Sequence, residues 1–156
     1  MFKNSKMTRL NLPNSAFNIK KEGDKTLIFD VFRKKFVVLT PEEWVRQNFL
    51  AFLHTQKNYP LGLIAVETEI KVNTLSRRCD AVLYDKTASA LMIMEFKAPE
   101  VKITQKTLDQ ICNYNLKLNV TYFVISNGMQ HFCGKINKET RKLQFLDTIP
   151  DFNTIT

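Results

Sequence analysis

Two apolar runs in this chain end in charge, and few folds can accommodate both. Residues 78–84 and 91–97 read as buried β-strands. The first is entered through Arg77-Arg78-Cys79-Asp80, and the second closes on Glu95-Phe96-Lys97. Side chains in a strand alternate between faces. That alternation predicts Leu91, Ile93, Glu95 and Lys97 on one side of the second strand, with Met92, Met94 and Phe96 on the other. Two carboxylates and an ammonium are thereby carried to the end of an apolar hairpin. Charge in such a place is costly unless it is paired or bound to a metal. A local rule broken inside an otherwise consistent segment marks a working site.

A chain of 156 residues is long enough for one domain with a real core and too short for two ordinary ones. Its expected divisions are an N-terminal extension over 1–38, a core over 39–134, and a C-terminal strand and tail over 135–156. Hydrophobic and charged contents of 44% and 24% are those of a soluble globular protein rather than a disordered one. No apolar run approaches the length of a membrane span, so no membrane partner is expected. The opening stretch 1–9 is basic with no apolar core behind it, unlike a signal peptide. Cys79, Cys112 and Cys133 are odd in number and lack metal-ligand spacing. They read as buried thiols of a cytoplasmic protein. The 23 Lys and Arg outweigh 15 Asp and Glu, giving +8, the electrostatic footprint of a polyanion partner.

Along the chain, residues 25–30 and 35–39 are short β-like runs flanking 31–34, an arrangement that predicts an N-terminal hairpin. Thr40, Pro41 and Glu43 then form a helix start: N-cap, first helical position and the far end of a capping box. Trp44, Val45, Phe49, Phe52 and Leu53 recur at helical spacing through about residue 53. Three strands follow, over 63–72, 78–84 and 90–97, with polar turns at 73–76 and 85–88. A helix over 104–118, a strand over 120–125, an Asn127-Gly128 hairpin into 129–133 and a weak strand over 142–146 complete the order. His54 reads as helix-end packing and His131 as a hairpin surface position.

Asp80, Glu95 and Lys97 together carry a definite chemistry. Carboxylates on adjacent strands can share one Mg²⁺, which prefers oxygen ligands and keeps several waters; Mn²⁺ is an alternative. The backbone carbonyl of Phe96 lies between Glu95 and Lys97 and is a further candidate ligand. Such a cation acidifies a bound water and neutralises a phosphate oxygen. Lys97 would orient that water or stabilise developing negative charge.

At these residues the chain resembles the PD-(D/E)xK nuclease superfamily, and in particular the N-terminal nuclease domain of type I restriction enzyme R subunits. The stretches 39–47, 64–67, Arg78-Cys79-Asp80, Glu95-Phe96-Lys97-Ala98-Pro99 and Ser126-Asn127-Gly128 carry the likeness, which covers about residues 27–134. It implies a restriction-endonuclease-like α/β (α+β) fold, with an αβββαβ core and a central mixed sheet flanked by helices. It implies Mg²⁺-dependent hydrolysis of DNA, with Asp80, Glu95 and Lys97 catalytic. Gln110-Ile-Cys-Asn-Tyr114 matches the Gln-x-x-x-Tyr motif of the RecB-like branch, an i, i+4 pair on one helix face. Cys79 stands where the superfamily's proline would precede Asp80. The motor domains of an R subunit are not among these residues, so the resemblance bears on the nuclease fold rather than on ATP-driven restriction. Motor or specificity subunits in trans and a homodimer are the partners it suggests, beside DNA.

Several residues keep two readings. Glu43 is either a third acidic ligand or the capping carboxylate, and Glu67 either approaches the metal or lies on a solvated strand face. Gln110 would bond the metal-bound water or a phosphate, and Tyr114 would stack on or bond to the substrate backbone; the other reading of both is a polar helix face. Arg78 either holds a phosphate or pairs with Asp80. Lys102 and Lys106 either track a nucleic-acid backbone or are ordinary solvated surface. Two other functions compete with the nuclease: a catalytically weak nuclease-fold subunit for DNA binding or assembly, and a structural protein with a salt-bridged hairpin.

Overall fold

The computed structural model describes residues 7–156, so most of the basic opening stretch read as unlike a signal peptide lies outside the described residues. Strands β1 (Ile19–Glu22), β2 (Lys25–Asp30) and β3 (Lys35–Val38) form an antiparallel sheet of their own. The expected hairpin is β2–β3, with Leu27 opposite Val38 and Asp30 opposite Lys35. β1 enlarges it to three strands. Its sequence Ile-Lys-Lys-Glu is exposed throughout and carries no apolar alternation. Backbone pairing to β2 across a Gly23-Asp24 turn holds it, and Gly23 supplies the φ of +58° that the turn requires.

Helix α1 (Pro41–Lys57) begins as expected, with Thr40 Oγ1 accepting from the N–H of Glu43 at 3.1 Å. The reciprocal half of the capping box does not form. The Thr40 N–H donates to Val38 O at 3.0 Å, leaving the Glu43 carboxylate to other partners. The helix runs past Leu53 to Lys57 and stops at Asn58, whose left-handed φ of 60° closes it.

The central sheet follows: β4 (Ile64–Val72), β5 (Leu75–Tyr84), β6 (Ala90–Phe96), helix α2 (Gln105–Leu118), β7 (Tyr122–Ser126), β8 (His131–Asn137) and β9 (Lys142–Leu146). Helix α3 (Phe152–Ile155) ends the chain. The six strands neighbour one another in sequence order, and every pairing is antiparallel except β6–β7. Parallel neighbours need a crossover, which α2 provides. This is the restriction-endonuclease-like mixed sheet with its αβββαβ order. Among the described residues, no helix is long and apolar enough to cross a membrane.

Two turns are tighter or wider than their sequences suggest. β5 starts at Leu75 rather than 78, because Val72 pairs with Leu75 across Asn73-Thr74, with Asn73 at φ 55°. At the other hairpin Ser126 pairs with His131, so the loop has four residues instead of the two expected from Asn127-Gly128. Asn127 Oδ1 accepts from the N–H groups of Met129 at 3.0 Å and Gln130 at 2.8 Å, building the loop on its own side chain.

On one face, Val45, Phe49, Leu50 and Leu53 of α1 pack over Ala81, Leu83, Met92, Met94 and Phe96. On the other, Leu118 of α2 packs with Cys79, Val82 and Ile93, and its Leu108 and Ile111 pack with Phe123 and Ile125. Each fully buried Val, Leu, Ile, Phe or Met side chain among them contributes about 1.5–3 kcal/mol. Cys79 and Cys133 are buried, but Cys112 is half-exposed, because it stands beside the buried stripe of α2 rather than on it.

Strict alternation would put Cys79 and Ala81 on one face. Instead Cys79 lies on the α2 side and Ala81 under α1, so β5 turns over at Asp80. β4 does the same between Val66, on the α1 side, and Ile70, on the α2 side. Between them Glu67 takes a φ of 48°, a left-handed conformation costing a non-glycine residue about 1–3 kcal/mol. The β4–β5 ladder pairs Val66 with Ala81 and Thr68 with Cys79 and skips Glu67 and Asp80, which stand across from one another.

Candidate functional site

The turnover decides where the charged residues go. The last β5–β6 pair is Ala81 with Met94, so the register carried one residue further sets Asp80 across from Glu95. Glu67, Asp80 and Glu95 thus form a row over three neighbouring strands, at the point where β5 parts from β6. β6 continues beside β7, with Glu95 opposite Ile125 and Phe96 opposite Ser126.

Asp80 is directed to the α1 side, where Thr40, Glu42, Glu43, Arg46, Glu67, Asp80 and Phe96 line a cleft of about 120 Å³. Its Oδ2 accepts from the N–H of Phe96 at 2.8 Å, a bond that replaces the missing ladder contact and fixes the carboxylate. Glu95 is approached from the α2 side instead. Arg77 Nη2 donates to Glu95 Oε1 at 2.9 Å, and the Arg77 guanidinium lies over the ring of Tyr114 at 4.1 Å. Burial, and then the negative charge of Asp80, push Glu95 up to about 8, against the opposing charges of Arg77 and Lys97. The single-face alternation expected from the sequence therefore fails at Asp80. The two carboxylates still lie close enough to repel one another. Burial likewise pushes the Cys79 thiol up to about 12, so the residue before Asp80 stays neutral.

Both optional acids are in the cleft, and both are closed off by arginines. Glu43 accepts from Arg33 Nη2 at 2.9 Å, from Gln47 Nε2 at 2.8 Å and from Arg46. Arg46 is buried, and it reaches Glu67 Oε1 at 3.3 Å and Asp30 Oδ2 at 3.9 Å. Asp30, also buried, is bound in turn by Arg33 and accepts from the N–H of Phe32 at 2.8 Å. Arg78 donates to Glu67 Oε2 at 3.0 Å from Nη2 and at 3.2 Å from Nε. Its carboxylate partner is thus Glu67, which sits nearer its fork than Asp80 does. Glu43 is accordingly neither a completed cap nor a free ligand, and Glu67, its side chain 33% exposed, is paired with Arg46 and Arg78.

The helix motif is split. Tyr114 faces Arg77, whereas Gln110 is exposed and makes no side-chain hydrogen bond among the described residues. Lys102 and Lys106 are exposed, beside the site rather than in it. His54 Nδ1 meets Tyr59 O at 2.9 Å, as helix-end packing predicts. His131 is half-buried in the hairpin rather than fully on its surface. Its Nδ1 meets Ser126 Oγ at 2.7 Å, its Nε2 meets Asn11 O at 2.8 Å, and its ring packs on Phe49 at 5.4 Å. Residues 10–11 run back over this hairpin and cover it, a long-range contact with no local signal.

Sequence reasoning assigned no role to Arg77, Arg33, Arg46 or Asp30. Arg77 adjoins Asp80's strand segment and could have been found by pairing it with the buried Glu95. The other three form their ion pairs through the N-terminal sheet, which periodicity does not reach.

The donor set suits a hard cation. Two repelling carboxylates and a strand-end carbonyl match Mg²⁺, which is held by few protein oxygens and keeps its waters. Among the described residues no group of three or more His, Cys, Asp or Glu side chains stands at metal-holding spacing. The protein would therefore supply two carboxylates and Phe96 O, without a third acid.

Residues 41–150 match the family model for the N terminus of type I restriction enzyme R proteins. The chain belongs to this family. The match takes in α1, the whole central sheet and α2, and therefore every residue of the candidate site except Asp30, Arg33 and Thr40. This R-protein N-terminal domain thus has a restriction-related, nuclease-like character. No curated protein matches the chain.

Proposed function

We propose that this R-protein domain is a Mg²⁺-dependent phosphodiesterase that hydrolyses the DNA backbone. The strongest support is the juxtaposition of Asp80 and Glu95: burial, and then the charge of Asp80, raise Glu95 to about 8, and a bound cation would relieve the repulsion between them. Asp80, Glu95 and the carbonyl of Phe96 would hold Mg²⁺, with Mn²⁺ able to replace it. That ion supplies an acidified water and neutralises charge on a phosphate oxygen. The Phe96 N–H fixes the Asp80 carboxylate, and Arg77 fixes Glu95. Lys97 orients the attacking water and stabilises the charge that develops as it adds to phosphorus. Gln110 and Lys102 contact the substrate at the rim. Arg78 exchanges Glu67 for a backbone phosphate. The +8 charge draws a polyanion toward the cleft, and the family points to DNA and to partner subunits of a restriction complex.

Plasmid and linear DNA incubated with the protein should be cut in Mg²⁺ and spared in EDTA. Glu95→Ala and Lys97→Ala should each abolish cleavage while circular dichroism stays unchanged. Activity that survives both substitutions ends this reading.

A second reading, a nuclease-fold subunit for DNA binding or assembly, is favoured by one observation: the acids Glu43 and Glu67 are already neutralised by Arg33, Arg46 and Arg78. Calorimetric titration with Mg²⁺ or Mn²⁺ separates the two. Absence of binding at millimolar metal selects the subunit.

A further inference from the structure

Arg77 holds two partners drawn from different elements. One Nη donates to the Glu95 carboxylate on β6 at 2.9 Å, and its guanidinium plane lies over the Tyr114 ring on α2 at 4.1 Å. Its other Nη is buried and has no hydrogen-bond partner among the described residues. A buried guanidinium nitrogen left unpaired is unfavourable, so the side chain stays in place only because the ring and the carboxylate hold it from both sides. Arg77 occupies Oε1 of Glu95 and leaves Oε2 unassigned. The alternation of β5 puts Arg77 and Cys79 on the α2 side, before the strand turns over at Asp80. The residue that supports Glu95 is therefore three positions from Asp80 and on the opposite face.

We infer that Arg77 is a positioning residue for Glu95 and that Tyr114 acts through its ring face as the seat of Arg77, not through its hydroxyl on the substrate. The inference rests on Asp80 and Glu95 being the cation-holding pair proposed above. It assigns Tyr114 a part that its hydroxyl does not play, which makes the phenylalanine variant decisive. Residues that orient a metal-ligating carboxylate change metal affinity about 10–100-fold when removed. A surface cation–π contact is worth about a threefold change.

The test is Mn²⁺ titration calorimetry on the full chain, with the Arg77 Nε–H signal followed by ¹⁵N NMR. Arg77→Met should lower Mn²⁺ affinity about tenfold, and Arg77→Lys should recover part of it. Tyr114 is 38% exposed, so its variants do not disturb the core. Tyr114→Ala should weaken Mn²⁺ about threefold and speed exchange of the Arg77 Nε–H, whereas Tyr114→Phe should hold both at the wild-type level. A Tyr114→Phe variant as weak as Tyr114→Ala would place the function in the hydroxyl and overturn the inference. So would a gain in affinity on Arg77→Met, which would make Arg77 a mere competitor of the cation. A wild-type protein that takes up no Mn²⁺ overturns the phosphodiesterase reading instead. In that event the Arg77 signal still decides the clamp, which fails if Tyr114→Ala leaves exchange unchanged.

Discussion

Replacing Glu95 by glutamine should alter how stability depends on pH, because the native protein holds a proton on Glu95 that the unfolded chain has released. The carboxyl rises from an ordinary 4.5 to about 8 in the fold, and its side chain is only 13% exposed. Its contribution to stability is fully present below pH 4.5, declines as pH rises through the interval, and is lost above pH 8. At about 1.4 kcal/mol per pKa unit, the whole interval is worth up to about 5 kcal/mol. Glutamine has no proton to lose, so Glu95→Gln removes this dependence and leaves the rest of the molecule titrating as before. The assay is urea denaturation of both proteins in EDTA, from pH 4.5 to 9. The stability difference between wild type and variant should shift by several kcal/mol in favour of the variant as pH rises. Parallel curves would show that Glu95 ionises freely in the fold, and the argument for a repelling carboxylate pair would fall with it.

Mg²⁺ binding at pH 7 should release about one proton per cation, since the ion displaces the proton from Glu95; calorimetry in buffers of different ionisation enthalpy measures it. Glu43→Ala should destabilise the protein by about 3 kcal/mol in urea, because it strips the buried Arg46 of its nearest carboxylate. Gly134→Ala should cost about 2 kcal/mol. A Cβ there would lie 2.6 Å from Gln144 O and 2.6 Å from the Phe123 ring, and the strand backbone cannot yield as a flexible side chain would.

The fold was legible wherever apolar pattern and punctuation agreed. Thr40-Pro41 marked α1, and the continuous apolar runs through Ala81–Leu83 and Met92–Met94 marked two buried strands, because a strand packed on both faces must be apolar at every position. Three features escaped for separate physical reasons. β1 is held by backbone pairing and by Lys20 over the Phe36 ring at 4.3 Å, so its exposed Ile-Lys-Lys-Glu carries no hydrophobic signal; the Gly23-Asp24 pair was the available cue. The loop at 127–130 is shaped by the Asn127 side chain, which the dipeptide rule does not weigh. The turnover at Asp80 is invisible to a period of two, since it depends on the left-handed Glu67 of the next strand. For the site, the types and spacing of Asp80, Glu95 and Lys97 were readable. Arg77 and Arg46 were not, because an arginine's partner is set by tertiary approach and a long side chain can reach either face.

The ion pairs that close Glu43 bear on how this domain can be cut down. The family match starts at residue 41, which would be the natural place to trim the gene. Yet Asp30 and Arg33, in the β2–β3 segment, bind Arg46 and Glu43, and Thr8 O accepts from Trp44 Nε1 at 3.0 Å. A fragment beginning at 41 would lose the Thr40 cap and two of the charges that neutralise the first helix. It should be harder to purify in folded form than one that retains the first forty residues.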